Sequence, residues 1–180
     1  MMYGVYADDR AAVRSFARMS VHERVEQIYV AERENIYGYL LYCGVPPQRA
    51  QELAQDSFLK LYRKLSKGEA VENPRAWVYR VAHHAAVRYH QREPVFDEID
   101  ANTALPEEAA DPERAILERQ RSAALAAAMR GLSPQQRNCL HLRVQGLQYR
   151  EIAETIGIST SAVGEFLRRA VTRLKEVLNG

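Results

Sequence analysis

Apolar side chains recur three and four residues apart through most of this chain, the spacing that lays one stripe along an α-helix. From about Val21 to Cys43 the stripe is Val25, Ile28, Tyr29, Ile36, Leu40 and Leu41, and Gly44-Val45-Pro46-Pro47 ends it. A second helix is predicted from about Gln48 to Leu65, with Ala50, Leu53, Ala54, Phe58, Leu61 and Tyr62 inward and Glu52, Gln55, Asp56 and Lys60 outward. Asn73-Pro74 then pairs a capping side chain with proline at the first helical position. It opens a third helix whose core stripe is Trp77, Val78, Val81, Ala82 and Ala85. Asp111-Pro112 restarts a helix in the same way, with Ile116, Leu117, Leu125, Ala128 and Met129 on its apolar side. Ser133-Pro134-Gln135-Gln136 is a capping box, and the helix it opens runs through Val144 to Gly146.

The last stretch, YREIAETIGISTSAVGEFLRRA, predicts two short helices joined at Gly157-Ile158-Ser159. Gly157 can take the left-handed conformation that ends a helix, and Ser159 can cap the next one. Val163, Leu167, Ala170, Leu174 and Val177 form its buried stripe, while Ser161, Glu165, Arg168, Thr172, Arg173 and Lys175 face outward. A helix with an apolar back and an arginine-rich, short-polar front suits the DNA major groove. The ordinary alternative is a helical hairpin with a solvated face.

Without a paired-strand pattern, the expected fold class is all-α. Charge divides it further. Residues 1–92 hold 14 basic and 10 acidic side chains, and residues 114–180 hold 11 basic and 5 acidic. Between them, residues 93–113 hold 8 acidic and none basic, with Pro94 and Pro106 and no sustained period. This predicts an N-terminal extension (1–20), a helical domain (21–92), a flexible acidic linker (93–111) and a second helical domain containing the helix-turn-helix (112–180). Two basic units on an anionic tether suit a nucleic-acid binder with two contact surfaces.

The third helix adds chemistry of its own. Arg75, Arg80, Arg88 and Arg92, with His83, His84 and His90, make much of its outer surface basic, and aromatics are interleaved. Cations neutralise phosphates and rings stack on unpaired bases, so the mixture suits opened DNA; the alternative is a core Trp and Tyr beside solvated arginines. Cys43 and Cys139 are isolated from each other and from metal spacing, the pattern of two buried thiols in a cytosolic protein. No apolar run reaches the roughly 20 residues that span a bilayer, and the start, with Asp8 and Asp9, lacks an apolar export signal. The expected location is cytoplasmic, with no cofactor, no metal and no covalent chemistry.

Taken together, AQELAQDSFLKLYRKL, NPRAWVYRVAHHAAVRYHQR and LSPQQRNCLHLRVQGLQYREIAETIGISTSAVGEFLRRAVTRL resemble bacterial RNA polymerase sigma factors of the extracytoplasmic-function (ECF) subfamily. The resemblance implies core RNA polymerase and promoter DNA as partners, and admits an anti-sigma factor as a third. It places polymerase docking, against a coiled coil of the largest subunit, on Glu52, Gln55 and Asp56. It places −10 reading and melting on the loop 66–73 and the helix after it, through Asn73, Arg75, Trp77, Arg80, His84 and Arg88. It places −35 reading on Ser159, Thr160, Ser161, Glu165, Arg168, Arg169 and Arg173. His83-His84, Arg88, Gly164 and Phe166 depart from residues frequent in that family, so no promoter consensus is carried over. Two rival readings follow from parts of the chain. One is a stand-alone helix-turn-helix regulator with residues 21–92 as a sensor or dimerisation domain, and the other a metal enzyme built on His83, His84 and His90, which lack a carboxylate or Cys at ligand spacing.

Overall fold

In the computed structural model the described residues are 19–92 and 123–179, and every regular element among them is an α-helix. Helix α1 spans Val21–Tyr42, α2 Pro47–Ser66 and α3 Pro74–Arg92. A helical stretch at 123–130, α4, precedes α5 (Pro134–Val144), α6 (Tyr149–Ile156) and α7 (Thr160–Asn179). The segments predicted at 1–18 and 93–122, including the Asp111-Pro112 helix start, Ile116 and Leu117, lie outside the described residues.

Local chemistry sets the helix ends. The Ser20 hydroxyl accepts from the Glu23 amide at 3.2 Å while the Glu23 carboxylate accepts from the Ser20 amide at 2.7 Å, a reciprocal cap that opens α1. Ser133 and Gln136 do the same for α5, and the Asn73 side chain accepts from the Ala76 amide at the start of α3. Gly157 closes α6 at φ 73°, ψ 39°, a left-handed conformation that glycine takes without a Cβ clash. Ser159 then caps α7 through the Ala162 amide at 3.2 Å.

Helices α1, α2 and α3 pack on one another through Ile36, Tyr39, Leu40, Leu53, Phe58, Leu61, Val78 and Ala82. Tyr79 lies in this core with no exposed surface, where the sequence pattern had placed only its neighbours. Tyr62 goes the other way and is 40% exposed. Helices α5, α6 and α7 pack through Cys139, Leu142, Ile152, Val163 and Leu167. Of the predicted stripe on α7, Val163, Leu167 and Ala170 are buried and Leu174 is half-buried.

The two sets of helices do not stand apart. Helix α6 lies against α3, and their buried residues form one continuous cluster. The joint is partly aromatic: His141 of α5 stacks on Tyr42 at 4.3 Å between ring centres and tilts over Tyr39 at 5.2 Å. Tyr39 in turn shares a 2.8 Å hydrogen bond with His83 Nδ1. Burial drives this contact, and it carries a polar penalty, because Tyr42 Oη and His141 Nε2 are buried with no hydrogen-bond partner. Each such orphan costs about 1–3 kcal/mol. Desolvation pushes the His83 and His141 imidazoles down to about 4, so both are neutral at physiological pH.

Candidate nucleic-acid interface

The outer face of α7 is built as the sequence pattern required. Ser159, Thr160, Ser161, Arg168, Arg169 and Arg173 are exposed, and Glu165 is half-buried. The Glu165 carboxylate bridges both neighbouring arginines, accepting from Arg168 Nη2 at 2.9 Å and Arg169 Nε at 2.6 Å. Hydrogen bonds from Arg168 and then Arg169 hold its carboxyl below the usual range. One carboxylate thus holds both guanidinium groups, an arrangement that limits the rotamers a groove contact has to freeze. Arg173 sits differently: its guanidinium lies over Gly131, where a Cβ would come within 2.7 Å of it. Gly164 faces the Tyr149 ring, which would lie 3.7 Å from an added Cβ.

The third helix and the end of α2 make a second basic surface. Trp77, His84 and Arg88 line a groove of about 390 Å³ together with Lys60, Arg63, Lys64 and Lys67. Sequence reasoning passed over Arg63 and Lys64, and reached Lys67 only as part of the loop 66–73; their signal was the run RKLSK at the close of an amphipathic helix. Trp77 also lines a neighbouring cleft of about 470 Å³, with Asn73 and Arg80 on one wall and Gln148, Arg150, Glu151 and Glu154 of the C-terminal set on the other. Across that cleft Asn73 Nδ2 donates to Glu151 at 2.5 Å and Arg80 Nη1 to Glu154 at 3.4 Å. Arg75 is turned inward. Its Nε binds Glu32 at 2.5 Å, its Nη2 donates to the Gln145 carbonyl, and its guanidinium lies 5.6 Å from the centre of the Tyr79 ring.

Nearer the start of α2, Glu52, Gln55 and Asp56 are exposed together, and Glu52 pairs with Arg49. Gln55 borders a cleft of about 290 Å³ between α1 and α2 that Tyr29, Arg33, Tyr37 and Gln51 also line. These α1 residues were not legible as part of the surface, because they share α1 with its core stripe.

The histidines considered as ligands are dispersed. His83 is bound to Tyr39, His90 Nε2 lies 2.7 Å from the Cys43 carbonyl oxygen, and His84 is exposed in the basic groove. Among the described residues no three His, Cys, Asp or Glu side chains cluster as a metal site would need. No described helix is long and apolar enough to cross a membrane.

Comparison with known proteins accounts for both halves. Residues 28–94 match the sigma-70 region 2 family and residues 122–174 the sigma-70 region 4 family. The chain is 32% identical over 162 residues to the RNA polymerase sigma factor YlaC of Bacillus subtilis, a match covering 88% of this chain and 94% of that protein. It is 30% identical to the ECF RNA polymerase sigma factor BldN of Streptomyces coelicolor, covering 84% of this chain and 59% of BldN. In fold it is similar to the sigma factor RpoE solved with the anti-sigma factor NepR from Bartonella quintana. That likeness has a TM-score of 0.61 and 21% identity, and covers 86% of this chain and 96% of RpoE. It is also similar to CnrH solved with the cytosolic domain of CnrY, at a TM-score of 0.55 and 20% identity, covering 93% of this chain and 94% of CnrH. The region 2 match falls on the residues that a stand-alone regulator would need as a sensor domain. The chain therefore belongs to the ECF RNA polymerase sigma factors, which bind core polymerase and direct promoter-specific initiation through −10 and −35 elements.

Proposed function

We propose that this sigma factor divides its work among three surfaces. Glu52, Gln55 and Asp56, with the α1–α2 cleft beside them, dock on the polymerase coiled coil. Trp77, His84 and Arg88 hold the opened strand of the −10 element, joined by Arg63, Lys64 and Lys67; Asn73 and Arg80 extend that surface at the loop. Ser159, Thr160, Ser161, Glu165, Arg168 and Arg169 read the −35 element, and Arg173 braces α7 against Gly131 and adds a cation to that face. Arg75 acts from inside, tying α1 to the C-terminal helices. The chain acts in the cytoplasm, performs no covalent chemistry itself, and offers an anti-sigma factor the same two sets of helices.

The observation that carries this reading is the basic groove at Trp77. Lys60, Arg63 and Lys64 of α2, Lys67 just beyond it, and His84 and Arg88 of α3 meet there around the Trp77 ring, with Glu69 paired to Lys64, further along α2 than the acidic docking patch. Phosphates need the cations and unpaired bases need the ring. Three variants reconstituted with core polymerase test the division. Asp56→Lys is expected to fail at polymerase binding. Trp77→Ala is expected to assemble and bind duplex promoter but leave permanganate-reactive thymines undetected at −10, and Arg168→Ala to lose upstream protection. A Trp77→Ala holoenzyme that melts promoters as the parent does overturns the strand assignment.

A further inference from the structure

Glu165 stands at the centre of the outer face of α7, one turn after Ser161 and one turn before Arg168 and Arg169. Its chain neighbours leave base contact there to few groups: Gly164 has no side chain, and Phe166 packs against the core. A carboxylate facing a groove walled by phosphates is repelled by them, so a favourable role has to offset that cost. It could accept from the amino group of cytosine, or it could aim the arginines. Its acceptor sites decide between the two. Of about four lone-pair sites on an ionised carboxylate, three are filled: Oε2 accepts from Arg168 Nε at 3.1 Å, and Oε1 accepts from Arg168 Nη2 at 2.9 Å and from Arg169 Nε at 2.6 Å. Such charge-assisted bonds are roughly twice as strong as one from a neutral base. Turning to cytosine would exchange the stronger kind for the weaker.

The two arginines are held differently. Arg168 gives Glu165 one whole edge of its guanidinium, Nε and Nη2, while 67% of its side-chain surface stays exposed. The planar fork carries N–H donors on every edge, so the far edge, between Nη1 and Nη2, keeps a parallel pair. That pair matches O6 and N7 of guanine. Arg169 gives Glu165 only its Nε, so its guanidinium keeps more freedom to turn. A cation with that freedom suits a phosphate, which positions the protein without carrying sequence information. We propose that Glu165 is a positioning residue: it braces Arg168 to read one guanine of the −35 element and leaves Arg169 to the DNA backbone. The proposal rests on the assignment of α7 to that element and goes further in naming the base.

The test uses the full chain assembled with core polymerase and a duplex promoter taken from its own mapped starts, with each −35 base pair exchanged in turn. The parent is expected to bind about ten-fold more weakly when one particular G·C pair is changed. Arg168→Ala is expected to abolish discrimination at that pair. Glu165→Ala is expected to reduce it several-fold at the same pair, with guanine still preferred and the other pairs unaffected. Glu165→Gln keeps an acceptor oxygen and is expected to fall between Glu165→Ala and the parent. Adding Glu165→Ala to Arg168→Ala is expected to change nothing further at that pair, since the first acts through the second. Arg169→Ala is expected to weaken binding to every duplex alike and to lower the salt slope by about one. Discrimination lost by Glu165→Ala at a different pair from Arg168→Ala, with the two losses adding, would show Glu165 reading a base itself and overturn the proposal. So would a Glu165→Ala profile identical to the parent's. If Arg168→Ala loses affinity equally on all duplexes while Ser161→Ala still alters base choice, Arg168 touches phosphate, and the proposal fails with α7 still the reader. If neither variant alters choice at any −35 pair, the assignment of α7 to that element fails, and the positioning role falls with it.

Discussion

His141 makes the joint between the two sets of helices sensitive to acid, and the size of the effect follows from its surroundings. Its ring is stacked on Tyr42 and tilted over Tyr39, and Nε2 has no partner. Desolvation lowers the imidazole from 6.5 to about 4, and His83 nearby is lowered to the same level by desolvation and then by His84. Above about pH 6.5 both rings are neutral whether the protein is folded or unfolded, so the joint is at full strength. Below that, the unfolded chain takes up protons that the folded one refuses until about pH 4; stability falls through this window and the loss then levels off. Each pH unit is worth about 1.4 kcal/mol per group, so each histidine removes about 2 to 3 kcal/mol in all, allowing for partial exposure. Against a total of about 5–15 kcal/mol for a domain, that is a large share. Urea unfolding measured between about pH 7.5 and pH 4.5 on the parent and on His141→Phe isolates the effect, since carboxylates titrate alike in both. The variant keeps a stacking ring and is expected to lose less stability on acidification, by about 2 kcal/mol at pH 5. It also removes the orphaned Nε2, so it is expected to match or exceed the parent at pH 7.5. Parallel pH profiles for the two proteins would refute the reasoning.

Two glycines of the helix-turn-helix should respond in opposite directions. Gly164→Ala meets only ordinary contact with Tyr149 and gains helix propensity, so it is expected to stabilise by about 0.5–1 kcal/mol. Gly157→Ala forces a Cβ into the left-handed region and is expected to destabilise by about 1–2 kcal/mol, both read by thermal or urea unfolding. Asp56→Lys is expected to weaken association with core polymerase while leaving the unfolding midpoint within about 0.5 kcal/mol of the parent, as for an exposed residue. Arg168→Ala and Arg169→Ala are expected to cost about 1–3 kcal/mol and relax sequence choice at one position wherever the side chain is bidentate to guanine. An equal loss on all DNAs, with a shallower salt dependence, would mark phosphate contacts instead.

Much of the fold was legible because amphipathic spacing and end signals agree. Asn73-Pro74, Ser133–Gln136 and Gly157-Ile158-Ser159 each act within a few residues, and each appears in the structure as the sequence required. The Ser20–Glu23 capping box was present in the sequence as well, although periodicity alone had marked that helix start. The exposed face of α7 was readable for the same local reason. Association of the two halves was not. Tyr39, Tyr79, His83 and His141 come from three helices as far apart as residues 39 and 141, and no spacing rule links them. Arg75 shows the consequence. On a helix with other arginines it reads as DNA-facing, yet Glu32 and the Gln145 carbonyl, distant in sequence, take up its guanidinium. Tyr62 fails in the opposite sense, since it continues an apolar stripe but lies where no neighbouring helix covers it.

The most direct measurement is reconstitution of the purified chain with core RNA polymerase, followed by mapping of transcription starts on genomic DNA. Two sigma regions acting on two promoter elements predict stable association and discrete starts that disappear when Asp56 is reversed in charge. A chain that never joins the polymerase, and instead binds a palindromic site by itself, would contradict the account.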